Sequence, residues 1–276
     1  MANVFSRLPQ LVAADMDGTF LASNKQVPAR HRALLDELAA YGGIFVPCTG
    51  RPVTAVPDEV LRHEATRFAI GANGAVVFDV AAGRALHVEE MNKRDVVALY
   101  ERVRNLEATF DVFADGEVYS ERARYDAMCS YGIDEPTLKM LRRVRKPVDA
   151  LVPAIVERAS RVEKITCFWR HEEDRAALDE AIREAAAFSS AHGHPKNFEL
   201  QAKGVSKGTA LRWLCDYVGI DVGDVVAFGD EANDLPLLLA AGDGVAMANA
   251  TDEVRAVADH VTSSNDDAGV AAYFRL

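Results

Sequence analysis

Asp15 and Asp17 stand on either side of Met16 at the end of an apolar run, and a Gly-Thr turn follows them ("AADMDGTFL", 13–21). A second apolar run, "DVVAFGD" (224–230), also ends on an acid, Asp230, with Asp234 close behind. Carboxylates brought to one point repel unless a cation joins them. Hard oxygen ligands with positions left for water suit Mg²⁺, which takes one or two carboxylates plus substrate phosphate. Two further stretches suit the phosphate. Thr49-Gly50-Arg51 closes the run "GIFVPCT" with a hydroxyl and backbone N–H groups in a turn. "GVSKG" (204–208) puts Lys207 at a helix start, where the ammonium and the helix N-terminus both favour an anion. Each stretch alone has a plainer reading: an Asx-type turn, a strand-to-helix turn, an exposed lysine. The patterns G-x-x-x-x-G-K-[ST] and G-x-G-x-x-G are absent, so this is not a P-loop or a dinucleotide fingerprint.

The elements that must position these residues alternate between strand-like and helix-like. The pattern predicts an α/β fold: a Rossmann-like doubly wound parallel sheet core with an inserted α/β cap domain. "QLVAAD" (10–15), "GIFVPCT" (43–49) and "DVVAFGD" read as buried strands. "FAIGANGAVVFDV" (68–80) holds two apolar runs around a Gly-Ala-Asn-Gly turn, and "GVAMANA" (244–250) reads as strand and turn. "PARHRALLDELAAYGG" (28–43) reads as a helix with Leu34, Leu35, Leu38 and Tyr41 on one face. "SKGTALRWLCDYVGI" (206–220) reads as another, with Leu211, Leu214, Cys215 and Val218 on one stripe. "NDLPLLLAAG" (233–242) is a short helix in which Pro236 fits the first turn.

The middle of the chain reads as a second α/β unit inserted into the first. Helices are predicted at 93–106, 149–160 and 172–187, strands near 108–122 and at 163–169, and connections near 134–150. The resulting division is 1–82 core, 83–190 cap and 191–276 core, with linkers near 80–84 and 188–198 that would let the cap rock over the site.

Composition bounds the partners. A chain of 276 residues with 49% hydrophobic and 26% charged residues is globular and long enough for a sizeable core. Its net charge of -11 disfavours nucleic acid and anionic membranes, while a local pocket for a small anion stays open. Cys48, Cys129, Cys167 and Cys215 show no C-x-x-C spacing, which fits reduced thiols in a cytoplasmic protein. No apolar run is long enough to span a membrane. The N-terminal "MANVFSRLPQ" lacks the pattern of a secretory signal.

Taken together, "DMDGT" (15–19), "TGR" (49–51), "GVSKG" and "GDEAND" (229–234) resemble the four ordered motifs of the haloacid dehalogenase (HAD) superfamily. The insert lies between the second and third motifs, as in the Cof-type subfamily with its C2B cap. "NGA" (73–75), "VAMANA" (245–250) and "VADHVTSSNDDAGVA" (257–271) also look like that subfamily. The resemblance covers both core segments; in the cap it rests on position and length. It implies a Mg²⁺-dependent phosphatase acting on a small phosphorylated metabolite, a sugar phosphate or phosphorylated cofactor. Asp15 would be the nucleophile, forming an aspartyl-phosphate. Asp17 would be the acid and base. Side chains two apart on a strand share a face, which explains the spacing around Met16. The Met16 N–H would meet a phosphate oxygen. Asp15, the backbone carbonyl of Asp17 and Asp230 would hold Mg²⁺. Thr49 and Gly50 would orient phosphate, Lys207 would neutralise nucleophile and phosphoryl oxygens, and Asn233 would lie near the transferred group. Asp234 would orient metal or lysine. Arg51 would be a structural ion pair or a substrate contact. Cap residues would read the leaving group.

Departures from the family pattern are small: Glu231 stands where a small residue is common, and Pro236-Leu237 replaces a polar-Met pair. Two other functions share these residues, a phosphomutase and a non-catalytic phospho-ligand sensor. No nucleic acid, membrane or obligate protein partner is implied. The basic run "KMLRRVRK" (139–146) reads as a solvated helix face, with an anion-attracting patch as the alternative. His192 and His194 read as part of a surface hinge rather than a metal site, and Trp169 and Trp213 as core.

Overall fold

The computed structural model describes residues 8–276. Residues 1–7, most of the segment read for a secretory signal, lie outside the described residues. Among the described residues fourteen strands follow in chain order. They are β1 (Leu11–Asp15), β2 (Ile44–Cys48), β3 (Phe68–Gly71), β4 (Val76–Asp79) and β5 (Arg84–Val88). Next come β6 (Asp111–Ala114), β7 (Glu117–Glu121), β8 (Arg145–Val148), β9 (Val162–Phe168), β10 (Phe188–Ala191) and β11 (Asn197–Ala202). The chain closes with β12 (Val225–Gly229), β13 (Asp243–Ala246) and β14 (His260–Val261). Two compact units result, one from residues up to His87 with Ser206–Leu276, the other Val88–Val205.

The first unit is built on a sheet of order β14-β13-β12-β1-β2-β3-β4-β5. It is parallel from β14 to β3, and β4 turns back antiparallel on β3. β1 is buried on both faces, as a near-continuous apolar run in a parallel sheet should be. Val12 and Ala14 pack with Phe45, Val226 and Phe228 against Leu34, Leu35 and Leu38 of the helix Ala29–Tyr41. Leu11 and Ala13 pack on the other side with Val46 and Ala227 against Leu211, Leu214 and Cys215 of the helix Lys207–Val218. The sheet is therefore doubly wound, as its alternating pattern predicts. Tyr41, the last residue of its helix, is exposed rather than on the buried face. Pro47 is tolerated inside β2 for a positional reason. The flanking Phe45 and Thr49 N–H groups point toward β3, bonding Ala65 O and Ile70 O, so the donor missing at Pro47 belongs to the side where pairing is sparse.

The second unit has a sheet of order β10-β11-β9-β6-β7-β8, antiparallel except for β7 with β8. Helices Lys93–Val103, Val152–Arg158 and Glu172–Ala185 bury Leu99, Val156, Leu178 and Ile182 against Val112, Ile165, Cys167 and Leu200. Trp169 lies in this core. The segment read as a linker at 188–198 holds β10 and the start of β11, which pair with each other and with β9. These strands carry the second unit to Val205, further than 190. The stretch 134–150 is not irregular either. It forms the helix Glu135–Val144, capped by Asp134, and then β8. The basic run is consequently split: Arg145 is buried on Asp111 at 2.8 Å, and Lys146 pairs with Glu117 at 2.9 Å.

Candidate active site

Three neighbouring parallel strands end together. Asp15 is the last residue of β1 and sits in register with Cys48 of β2, so Thr49 follows directly beside it. On the other side Ala14 is in register with Phe228 of β12, two residues before Asp230. Ligands of open parallel sheets bind beyond such carboxyl ends. The helix Lys207–Val218 starts at Ser206, whose hydroxyl caps the Thr209 N–H while Thr209 bonds back. That cap fixes Lys207 in the first turn.

Lys207 is fully buried, and its Nζ lies 2.5 Å from Asp15 Oδ1 and 2.6 Å from Asp234 Oδ1. Asp234 also accepts the N–H groups of Asp230 and Glu231 on its other oxygen, at 3.0 and 3.2 Å. Thr19 donates to Asp230 Oδ1 at 2.6 Å. One oxygen each from Asp15, Asp230 and Asp234 falls within 4.8 Å of the others. Burial, opposed by Lys207 and reinforced by Asp234 and Asp17, raises the Asp15 carboxyl to about 7. Burial and the neighbouring Asp15 and Asp234 push Asp230 well above its ordinary value. Burial would lower Lys207, but the two carboxylates hold it firmly protonated. One ammonium thus serves a cluster of three carboxylates, and a dication matches the charge that remains.

The donor set fits a hard divalent ion. Both oxygens of Asp234 are engaged by Lys207 and by backbone N–H groups. Asp15 and Asp230 each keep an oxygen outside those bonds, Oδ2 in both. A Cβ placed on Gly18 would lie 2.2 Å from Asp230 Oδ2, so the backbone after Asp17 closes against that oxygen.

Asp17 is held differently. Lys25 Nζ lies 2.8 Å from its Oδ1, and the Arg51 guanidinium pairs with the same oxygen. Burial works to raise Asp17, yet Arg51 and Lys25 prevail and keep the carboxyl below its usual range. Arg51 thus forms an ion pair with Asp17 within this unit. Thr49 is buried, and its Oγ1 accepts the Arg51 N–H at 3.1 Å. Gly50 lies in the turn between them. Met16 places its side chain in the core, leaving its backbone at the strand end. Asn233 Nδ2 donates to Asn73 Oδ1 at 3.2 Å.

Sequence reasoning assigned no role to Thr19, Lys25 or Asn73. Thr19 and Asn73 lie inside quoted motifs, and that membership was the signal available for them. Lys25 takes a positive φ of 66° in a turn closed by Ala22, which no local pattern announces. The histidines go to local bonds: His192 Nδ1 lies 2.6 Å from Asn197 O, and His194 lies 3.2 Å from Asp134.

A parallel doubly wound core with acids, lysine and threonine at one set of strand ends defines a hydrolase of the haloacid dehalogenase type, and the chain belongs to that family: the haloacid dehalogenase-like hydrolase profile matches residues 12–274. It is an enzyme of the phosphatase class. The chain is similar to Phosphatase YwpJ of Bacillus subtilis, 28% identical over 95% of this chain and 97% of the relative. It is similar to 5-amino-6-(5-phospho-D-ribitylamino)uracil phosphatase YwtE of the same organism, 27% identical over 95% of this chain and 96% of the relative. A solved haloacid dehalogenase-like hydrolase from B. subtilis superposes with a TM-score of 0.83 at 27% identity, covering 96% of this chain and 99% of that one. Among the described residues no helix is long and apolar enough to cross a membrane.

Proposed function

We propose that the chain is a Mg²⁺-dependent phosphomonoester hydrolase that releases phosphate from a small phosphorylated metabolite through an aspartyl-phosphate on Asp15. The observation that carries this reading is the buried Asp15–Lys207–Asp234 bridge beside Asp230. One carboxylate oxygen of Asp15 attacks phosphorus as the bond from phosphorus to the leaving oxygen breaks. Asp17, which Arg51 and Lys25 keep ionised in the free chain, takes up a proton as the anionic phosphate enters and gives it to that oxygen. Asp17, now a carboxylate, takes a proton from water. The water oxygen attacks the same phosphorus, freeing inorganic phosphate and restoring Asp15. The ammonium of Lys207 offsets charge on the nucleophile and the phosphoryl oxygens, and the Thr49 hydroxyl with the Met16 and Gly50 N–H groups orients them. Asp15, Asp230 and the Asp17 carbonyl would hold the ion, which supplies electrostatic shielding for a carboxylate approaching a phosphate.

A small phosphorylated substrate is supported by a relative named for a phosphoribitylamino-uracil. A sugar phosphate or phosphorylated cofactor is the class proposed. A cytoplasmic setting is part of the proposal and is supported by four unpaired cysteines. The test is phosphate release from a panel of phosphorylated metabolites and p-nitrophenyl phosphate, with Mg²⁺ and with EDTA, beside Asp15→Asn. Mg²⁺-dependent release that the variant lacks supports the reading. Equal release from the variant, or none from the wild type, removes it; sugar-phosphate interconversion without release would favour a mutase.

A further inference from the structure

The turn between β3 and β4 has no part in the chemistry above, yet it touches three of the elements that carry it. The Ala72 N–H donates to Arg51 O at 2.9 Å, and the Asn73 N–H donates to Thr49 O at 3.1 Å. Gly74 packs on the lysine helix: a Cβ there would lie 2.1 Å from Ser206 O and 2.9 Å from the Lys207 nitrogen. Its φ of +99° adds a second reason for glycine. The Asn73 side chain meets the loop after β12, where its Oδ1 accepts from Asn233 Nδ2. Both asparagines are buried.

Asn73 adopts φ 57° and ψ 31°, the left-handed region that asparagine tolerates better than other side chains. That conformation, set by two backbone bonds, aims the carboxamide at Asn233. Asn233 then has its nitrogen engaged and its Oδ1 buried without a hydrogen-bond partner. Buried polar atoms in folded proteins are nearly always paired, and exceptions gather at working sites. This buried acceptor, next to Asp230 and Asp234 in sequence, is open to a donor brought by a substrate.

We propose that Asn73 is a positioning residue for phosphoryl transfer, fixing the Asn233 carboxamide through their hydrogen bond while its turn ties the Thr49 turn to the lysine helix. The proposal rests on the phosphatase reading. It gives the Asn73-Gly74 turn a function of its own: setting the relative register of three strand-end elements that come from distant parts of the chain.

The test is a double-mutant cycle on p-nitrophenyl phosphate with Mg²⁺, using Asn73→Gly and Asn233→Ala. Glycine takes φ near +57° freely, so Asn73→Gly removes the carboxamide and keeps the turn. Asn73→Gly is expected to lower kcat roughly 10- to 100-fold, with KM within about threefold of wild type. The double variant should be no worse than Asn233→Ala, because the two residues act as one unit. Melting curves separate this from unfolding. If Asn73→Gly does not fold, Asn73→Asp is the second variant, since it keeps an oxygen facing Asn233 Nδ2 and should retain more kcat than Asn233→Ala. An active wild type with Asn73→Gly at full kcat, with losses that multiply independently, or with Asn73→Asp no better than Asn233→Ala overturns the inference. An inactive wild type overturns the phosphatase reading on which it stands.

Discussion

The Lys207 ammonium lies 2.6 Å from Asp234 Oδ1, and neither side chain is reached by solvent. The pair does more than balance charge, since Asp234 also ties down the backbone N–H groups of Asp230 and Glu231. Removing one partner of a buried ion pair leaves the other uncompensated. Asp234→Ala is expected to destabilise the protein by about 3–5 kcal/mol in urea or guanidinium unfolding, and to abolish phosphate release. A loss under about 1 kcal/mol would show that the pair is solvated in solution.

Divalent ion binding should appear as stability. An ion that binds only the folded chain at a hundredfold excess over Kd stabilises it by about 2.7 kcal/mol. Wild-type protein is expected to gain melting temperature on Mg²⁺ titration and to lose the gain in EDTA. Asp230→Asn should show neither response, and unchanged titration curves in that variant would move the ion elsewhere.

Gly18→Ala probes the same locus from the backbone. Its φ of +81° disfavours any side chain, and the new methyl would meet Asp230 Oδ2 at 2.2 Å. The left-handed conformation alone costs about 1–2 kcal/mol. The displaced carboxylate should weaken Mg²⁺ binding at least tenfold, a change of about 1.4 kcal/mol, read by calorimetric titration. Wild-type affinity in the variant would contradict the close approach.

Lys25 separates activity from stability. Its pair with Asp17 is about a third exposed on both sides, at 31% and 30%. Such pairs contribute under about 1 kcal/mol to folding. Lys25→Met should therefore melt near wild type while its kcat falls several-fold, on the order of the 10²-fold that general acid–base placement supplies or less. Equal kcat would mean that Arg51 alone holds Asp17.

His31 gives a pH signature remote from the acids. It is buried, stacks on Phe20 with ring centroids 4.5 Å apart, and lies 2.7 Å from Phe20 O through Nδ1. Burial lowers it to about 4 from 6.5, against the pull of the Phe20 carbonyl. The folded value is below the unfolded one, so between the two the unfolded chain binds the proton and the folded chain does not. Stability is full above pH 6.5 and falls as pH drops toward 4, by about 3 kcal/mol from this group. His31→Gln keeps a donor and lacks the titration. Its stability profile should be flatter than wild type over that window, and superimposable profiles would refute the assignment.

Much of the first unit is legible in sequence because apolar runs that end abruptly on Asp15, Thr49 and Asp230 are what buried parallel strands look like. Their convergence follows from topology, since β2, β1 and β12 are neighbours. The second unit is less legible for a physical reason. β10 carries Ser189 and Ser190 within the stretch read as a linker, and β11 carries Glu199 and Gln201, polar residues that are nonetheless buried in a sheet. Arg145 and Asp111 hide in the same way, because a buried ion pair looks like surface charge until its partner is known. Lys25 and Asn73 escape notice because their roles depend on positive φ angles and on partners in other loops.

The distance along the chain between Asp15 and Lys207, 192 residues, sets an order of events at the ribosome. At about 5–20 residues per second, Asp15 waits roughly 10–40 s for its counter-ion to be made. β1 meanwhile has β2 to pair with and lacks β12 on its other edge. The contiguous 88–205 unit emerges whole in that interval and has its own core to fold around. An acid that is costly to bury alone therefore gains its buried counter-ion only once the last quarter of the chain is being made.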